Sequence, residues 1–321
     1  MFLSAEVIRQ KKNIALLLRQ SAARAQSAGF LEVLDKAMAA MKRERERESI
    51  AGAAVTGGLV QIRDFDRLAI ISDLHGDTGS LFSILDRLRY EEFLSSPQNK
   101  LVFLGDYVDR GSDSVGILYS VCYLKQKYPD SVVLMRGNHE APAEFPFAPH
   151  DLPYSIEDRF GGDAKSIYGK VLSFFRLLTL ATIVGDRLLL VHGGLPTDRP
   201  DAGLIAAAHE NHVRSRVMEE LLWNDPRTIG SGQGWEPSSR GVGRHFGSAI
   251  TDGWLAATNT KVVVRGHEPC RGYRIDHGSK ILTLFSCTVY RGFDAAYLRA
   301  DRSELAAVKN ADDLAHYVIK L

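Results

Sequence analysis

The chain has 321 residues, 25% of them charged and 45% from the apolar set, with a formal net charge of +1. These are ordinary values for a soluble globular protein, and the length permits one large domain or two small ones. Near neutrality leaves no global field that would favour nucleic acid or an acidic membrane surface, so any anion chemistry has to come from a local cluster of charge.

Residues 4–48 are rich in Ala, Leu, Glu, Lys, Arg and Gln and lack proline, which predicts helix with a break near Gly29. The apolar run Ile14–Leu18 is too short for a signal-peptide core, and no segment approaches the ~20 apolar residues of a membrane span. Cys122, Cys270 and Cys287 are odd in number and far apart, which argues against a disulfide framework. A cytoplasmic location in a reducing compartment is expected. The run KRERERE, Lys42–Glu48, alternates in sign and reads as a solvated helix end. Its alternative reading is an arm that docks a regulatory partner or a second copy. Ala51–Gly58, small and glycine-containing, reads as a flexible connection. Residues 1–58 are therefore expected to form a helical extension with its linker, and residues 59–321 the main domain.

From Leu59 the texture changes to short apolar runs that end in polar clusters. LAII (Leu68–Ile71) precedes SDLHGD, LVFL (Leu101–Leu104) precedes GDYVDRG, and VVLM (Val132–Met135) precedes RGNHE. LLLV (Leu188–Val191) precedes HGG, KVVV (Lys261–Val264) precedes RGHE, and ILTLF (Ile281–Phe285) leads into SCTVYRG. Such runs bounded by glycine read as buried strands. Helix-like stretches at 79–90 and 113–127 complete the βαβ rhythm of an α/β domain, in which ligands collect outside the carboxyl ends of strands. Five strand ends carry Asp, Asn or His at that place.

Asp73, His75, Asp106, Asn138, His192 and His267 are oxygen and imidazole donors with no thiolate among them, a set that suits manganese, iron or zinc. Six ligands exceed what one catalytic ion with open positions takes, and match two ions that share a carboxylate. Asp106 follows Gly105 at a turn from which its carboxylate can reach both. Water between two divalent cations loses a proton near neutral pH, which supplies a nucleophile without serine or cysteine. Any one Asp or His at a strand end is ordinarily a turn former; six in succession are not explained that way.

GDYVDRG (Gly105–Gly111), RGNHE (Arg136–Glu140) and SDLHG (Ser72–Gly76) resemble motifs of the phosphoprotein phosphatase family of metallophosphoesterases. HGG (His192–Gly194), LLWNDP (Leu221–Pro226), RGV (Arg240–Val242) and RGH (Arg265–His267) follow in that family's order, so the resemblance runs from about Leu68 to Asp294. It implies a calcineurin-like β-sandwich of the α/β class flanked by helices, here with a short helical N-terminal extension. It implies that Asp73, His75 and Asp106 hold one divalent ion and that Asp106, Asn138, His192 and His267 hold the other. Manganese is the expected metal, with iron or zinc as alternatives. It further implies that His139 is the general acid, oriented by Asp109, and that Arg110 and Arg240 clamp the phosphoryl oxygens, with Asn138 and Tyr290 also beside the phosphate. The expected substrate is a phosphoserine or phosphothreonine protein or peptide, attacked in line by hydroxide that bridges the two ions.

Two stretches depart from the family pattern. APAEFPFAPHDLPYS after RGNHE does not follow the eukaryotic continuation, and SCTVYRGFDAA keeps Tyr290 but has Arg291 where many eukaryotic members carry cysteine. A dinucleotide polyphosphate hydrolase or a broad-specificity metallophosphoesterase is the nearest alternative, though LLWNDP and RGV favour the protein phosphatase. A nuclease is disfavoured because His267 is followed by Glu268, Pro269 and Cys270 rather than a GHxH pattern, and a non-enzymatic scaffold because no donor is lost. Arg136 and Arg265 read as structural ion-pair partners and Asp225 as the anchor of the Arg240 loop. His150, His209, His212, His277 and His316 lack motif context, and His245 merely lies close to Arg240 in sequence.

Overall fold

The computed structural model describes residues 16–209, 215–230 and 234–321. The expected helix at 4–48 thus lies partly outside the described residues. The first eight strands are Ser49–Ile50 (β1), Ala53–Thr56 (β2), Leu59–Ile62 (β3), Arg67–Ile71 (β4), Asn99–Phe103 (β5), Val132–Leu134 (β6), Ala181–Val184 (β7) and Leu188–Val191 (β8). Then come Asp225–Pro226 (β9), Trp235–Pro237 (β10), Arg244–Phe246 (β11), Val262–Arg265 (β12), Tyr273–Asp276 (β13), Ile281–Leu284 (β14), Ala296–Asp301 (β15) and Val318–Lys320 (β16). The six apolar runs of the sequence are β4, β5, β6, β8, β12 and β14.

These strands form a five-stranded sheet in the order β16-β15-β4-β5-β6 and an eight-stranded sheet in the order β1-β2-β3-β7-β8-β12-β14-β13, with β10-β11-β9 as a small third sheet. The runs are apolar at consecutive positions because both faces of each sheet are covered. Leu68 and Ile70 of β4, Val102 of β5 and Val133 of β6 meet Leu188 and Leu190 of β8 and Val262 and Val264 of β12 in one core between the sheets. Their alternating neighbours Ala69, Ile71, Leu101, Phe103 and Leu134 point the other way, into a second core. The helices Thr78–Leu88, Ser114–Lys127 and Ala164–Phe175 close that core with Leu85, Leu118 and Phe174. On the far side, Leu189, Val191 and Val263 pack against Leu221, Leu222 and Trp254 from the helices Arg216–Trp223 and Ser248–Thr258. Four layers result, helix, sheet, sheet and helix. The sandwich expected from the family resemblance is present.

The amino-terminal region differs from its reading in the sequence. Residues 16–24 are helical, and a second helix spans Ser27–Glu46 after an extended Gln26, so the break falls before Gly29 rather than at it. Gly29 lies inside the second helix with open space around it. Ala51–Gly58 is not a flexible connection: β1 pairs with β2 and β2 with β3, both antiparallel. Gly52 (φ 69°) and Gly57 (φ 53°) occupy left-handed turn positions, so the glycines that suggested a linker serve hairpins instead. Strands therefore lie on both sides of the expected boundary at residue 58.

Phe30, Leu34 and Met41 of the Ser27–Glu46 helix are buried in the same core as Leu118 and Val121 of the Ser114–Lys127 helix. Nor is the alternating charge run wholly solvated. The Glu44 carboxylate pairs with Lys125 at 2.5 Å, the lysine side chain being only 2% exposed. Arg45 donates to the carbonyls of Met41 and Leu177. Nearby, the buried Lys100 ammonium donates to the carbonyls of Ala51, Pro97 and Asp130, tying the first hairpin to β5. Burial pushes Lys100 down to about 8. Among the described residues no helix is long and apolar enough to cross a membrane.

Glu44→Ala leaves the buried Lys125 ammonium with carbonyl partners alone. Breaking one side of a buried pair costs about 3–5 kcal/mol, and this variant should lose roughly the lower figure in urea denaturation because Glu44 keeps some contact with water. Adding Lys125→Met should recover most of it. A loss in Glu44→Ala below ~1 kcal/mol would show that the helix is held by apolar packing alone.

Candidate active site

Strands β4, β5 and β6 are mutually parallel, as are β8 and β12, so their carboxyl ends emerge along one edge of the sandwich. Asp73 and His75 follow β4, Asp106 follows β5, Asn138 and His139 follow β6, His192 follows β8 and His267 follows β12. All of these side chains are buried.

The backbone that delivers them is strained. His75 (φ 44°), Asp106 (φ 56°), Asp109 (φ 67°), Arg110 (φ 71°) and His267 (φ 68°) are left-handed without being glycine. Such residues cost on the order of 1–3 kcal/mol each and persist only where their surroundings fix them. Here the Asp106 carbonyl accepts from the backbone N–H groups of Leu74 and His75. The Glu140 carboxylate accepts from the N–H groups of Asp106, Tyr107 and Gly137, clamping two strand ends together. Gly137 has no room for a side chain: a Cβ there would lie 2.2 Å from Asp106 Oδ1 and 2.3 Å from its backbone nitrogen.

The hydrogen positions follow from the partners. His75 Nδ1 lies 3.0 Å from the Val108 carbonyl and His192 Nδ1 lies 3.1 Å from the Leu104 carbonyl. Carbonyls only accept, so each Nδ1 carries the hydrogen, and in the neutral form that binds metal each ring turns an Nε2 lone pair inward. Those lone pairs face further acceptors. His75 Nε2 is 3.6 Å from Asp106 Oδ2 and 4.0 Å from Asp73 Oδ1, while His192 Nε2 is 3.3 Å from Asp106 Oδ1 and 3.0 Å from Asn138 Oδ1. His267 Nδ1 sits 2.8 Å from the same Asn138 oxygen, and its buried Nε2 has no hydrogen-bond partner. Acceptors converging on acceptors need cations between them, and hydrogen-bonded outer nitrogens are the usual way a protein orients imidazoles on a metal. The residues present therefore fit divalent ions.

Among the described residues, the groups close enough to hold a cation form two sets, His75 with Asp106 and His139, and Asp106 with His192 and His267. Asp106 belongs to both. Asp73 stands beside the first set, with oxygens that accept from the Ser72 hydroxyl and the His267 N–H. Although Asp106 outweighs burial and raises His192, burial lowers His75 and, with the Arg240 charge added, takes His267 well below the ordinary imidazole value. Both are thereby kept in the neutral form that binds metal. Burial opposes protonation of His139 as well, but Asp106 and the hydrogen-bonded Asp109 outweigh it and raise that histidine.

His139 Nδ1 lies 2.7 Å from Asp109 Oδ2, leaving Nε2 as the ring's free nitrogen. Asp109 is fully buried and takes N–H bonds from Asp151 and Leu152 on its other oxygen. His150, which had no motif context in the sequence, adds its Nδ1 to Asp109 Oδ2 at 3.0 Å. Nothing in the local sequence signals this, because the contact spans 41 positions.

A pocket of about 380 Å³ opens over these groups, with Arg110, Arg240 and Tyr290 on its walls together with Phe147 and Trp223. Arg240 Nε is held by Asp225 Oδ2 at 2.9 Å, and Arg265 holds the other oxygen of the same carboxylate at 2.9 Å. Asp225 thus anchors the Arg240 loop. Buried Arg265 also pairs with Glu268, and buried Arg136 with Glu144. His245 pairs with Glu236 at 3.5 Å. Phe147 comes from the divergent segment after RGNHE and stands edge-on to the His139 ring, 4.4 Å between centroids.

Residues 66–271 match the family described as calcineurin-like phosphoesterase, and the chain belongs to that family, whose activity implies divalent metal ions. It is 32% identical to serine/threonine-protein phosphatase T of Schizosaccharomyces pombe over 72% of this chain and 48% of that protein. It is 30% identical to serine/threonine-protein phosphatase 5 of Homo sapiens over 76% of this chain and 48% of that protein. The chain thus spans about half the length of these curated relatives. In fold it is similar to a protein serine/threonine phosphatase from Saccharomyces cerevisiae, with a TM-score of 0.70 over 91% of this chain and 89% of that one at 23% identity. A cold-active protein-tyrosine phosphatase from a Shewanella species is similar at a TM-score of 0.51 and 19% identity, over 75% of this chain and 77% of that one.

Gly137→Ala should force the Asp106 carboxylate out of its shared position, since the added methyl would meet its oxygen at 2.2 Å. The expected outcome is loss of most bound divalent metal by elemental analysis while far-UV circular dichroism stays native. Full metal content in this variant would show that the β5 and β6 turns separate without disturbing Asp106.

Proposed function

We propose that this chain is a phosphoprotein phosphatase that hydrolyses phosphoserine and phosphothreonine monoesters at a pair of divalent cations. The observation that carries this reading is the sharing of Asp106 between two donor sets beneath a pocket with two arginines on its wall. Asp73, His75 and Asp106 would hold one cation, and Asp106, Asn138, His192 and His267 the other. When bound, the cations neutralise phosphoryl charge and acidify water so that it can attack at neutral pH.

The remaining work belongs to the chain's own groups. Arg110 and Arg240 present planar guanidinium forks that match phosphoryl oxygens. Asp225 fixes the second of them by its Nε, which leaves the terminal nitrogens for the ligand. Tyr290 is neutral at physiological pH, burial pushing its hydroxyl up to about 12, so it serves as a hydrogen-bond donor. As the water oxygen bonds to phosphorus and the ester P–O bond breaks, His139 Nε2 gives its proton to the departing serine or threonine oxygen. Asp109 stays ionised and stabilises the imidazolium. The products are inorganic phosphate and the free hydroxyl, and the proton that the attacking water releases to solvent balances the one His139 takes back from solvent.

Preference for serine and threonine is supported by the names of the curated relatives rather than by the pocket itself. Manganese and a cytoplasmic location are part of the same proposal. The outward side of Lys42–Glu48 is the surface we assign to a regulatory partner or a second copy.

Asp106→Asn should remove most bound metal together with activity, and two ions per chain in this variant would refute the proposal that both sites depend on this carboxylate. His139→Asn should retain metal and lower turnover of a phosphoserine peptide by roughly 10²–10⁴, the scale of a general acid. A panel of phosphoserine, phosphothreonine, phosphotyrosine and diadenosine polyphosphate, run with manganese, tests the substrate. Faster turnover of the dinucleotide than of every phosphopeptide would overturn the reading.

A further inference from the structure

The divergent segment after RGNHE contributes more than a pocket wall. Besides Phe147 it carries His150, whose Nδ1 lies 3.0 Å from Asp109 Oδ2, the same oxygen that His139 Nδ1 meets at 2.7 Å. Asp109 Oδ1 accepts from the backbone N–H groups of Asp151 and Leu152, both at 2.7 Å. A carboxylate offers about four lone-pair directions, and here all are taken, three of them by residues 150–152. The Nε2 of His150 is in turn held at 2.9 Å by the Tyr168 hydroxyl. Since Nδ1 donates to a carboxylate, neutral His150 has one tautomer only, with Nε2 accepting from the tyrosine.

We infer that His150 is a positioning residue for proton transfer by His139, acting through Asp109. Two donors on one oxygen fix the Asp109 carboxylate against rotation about its terminal bond. The direction of the His139 ring, and with it the aim of Nε2, is then set by a chain of Tyr168, His150 and Asp109. This role rests on the reading of His139 as the general acid.

A residue that merely braced the segment would alter substrate binding and slow every substrate alike. A residue that aims the acid matters in proportion to how much the leaving group needs a proton. An alkoxide needs one, and a nitrophenolate departs without it. The test is the ratio of kcat for a phosphoserine peptide to kcat for p-nitrophenyl phosphate, both measured on the same preparation. Incomplete folding or metal loading cancels in that ratio.

His150→Ala should lower the ratio by at least about tenfold, a part of the ~10²–10⁴ that a general acid supplies, with KM changed by less than about threefold. His150→Asn keeps a donor where Nδ1 was and should restore most of the ratio. In a His139→Asn background, His150→Ala should lower the ratio no further, because residues acting as a unit are not additive. An unchanged ratio in His150→Ala, or a full further drop on top of His139→Asn, overturns the inference. The His139→Asn control separates the two claims. If it leaves the ratio unchanged, the general-acid assignment itself fails; if it lowers the ratio while His150→Ala does not, only the role of His150 fails.

Discussion

In the edge between the two sheets, carbonyls of Val108 and Leu104 hold the outer nitrogens of His75 and His192, so the inner lone pairs are turned toward the oxygens of Asp106. With the rings neutral, lone pair faces lone pair in a buried place, where electrostatic interactions are poorly screened. A fold can hold such an arrangement only if the backbone beneath it is rigid. The left-handed conformations of His75, Asp106 and His267 show the same demand from the side of the main chain. Each places a polar side chain where an ordinary strand exit would not.

The rigidity has identifiable sources. Glu140 spends its carboxylate on three backbone N–H groups from two different strand ends, which fixes the Asp106 turn relative to Gly137. The β4 and β5 exits are joined by the Asp106 carbonyl, and the β4 and β12 exits by the Asp73 carboxylate and the His267 N–H. Behind them lie two cores on either side of the five-stranded sheet, one of which includes the Ser27–Glu46 helix. That helix lends no residue to the pocket wall, yet its apolar face and its Glu44–Lys125 pair help close the layer on which β4, β5 and β6 rest.

The parts of this arrangement that were legible in the sequence are those where chemistry and local pattern coincide. A strand buried on both faces is a continuous apolar run, and the polar residue at its carboxyl end comes next, so β4, β5, β6, β8 and β12 could be read directly, together with the donors Asp73, His75, Asp106, Asn138, His192 and His267 that gather at their ends. The amino-terminal hairpins could not, because glycine at a tight turn and glycine in a flexible connection are the same letter. Gly52 became a turn only through the pairing of β1 with β2, and Gly57 only through that of β2 with Leu59–Ile62. Glu44 and Arg45 were hidden in the same way. An alternating charge run looks solvated until a buried lysine from another helix claims one of its members. His150 was missed because its meaning lies in Asp109, on the far side of β6.

The contrast between His139 and His150 shows what a motif contains. GDYVDRG and RGNHE encode the pair of Asp109 and His139 because both residues sit at fixed distances from Asp106 and Asn138 at the strand ends, within turns whose strain allows few alternatives. The segment that follows has no such constraint at its outer surface, and its proline-rich path differs from the eukaryotic continuation. It nevertheless ends by filling the open valences of Asp109 with His150, Asp151 and Leu152. A buried carboxylate must have its lone pairs satisfied by something, and the segment that supplies those donors acquires a hold on the histidine that the carboxylate orients. Divergence beside a fixed dyad therefore need not be confined to substrate recognition. In this protein the same eleven-residue stretch, Ala141–Asp151, places Phe147 against the His139 ring and His150 against its partner Asp109, so that pocket shape and the setting of the His139–Asp109 pair are coupled through one piece of chain.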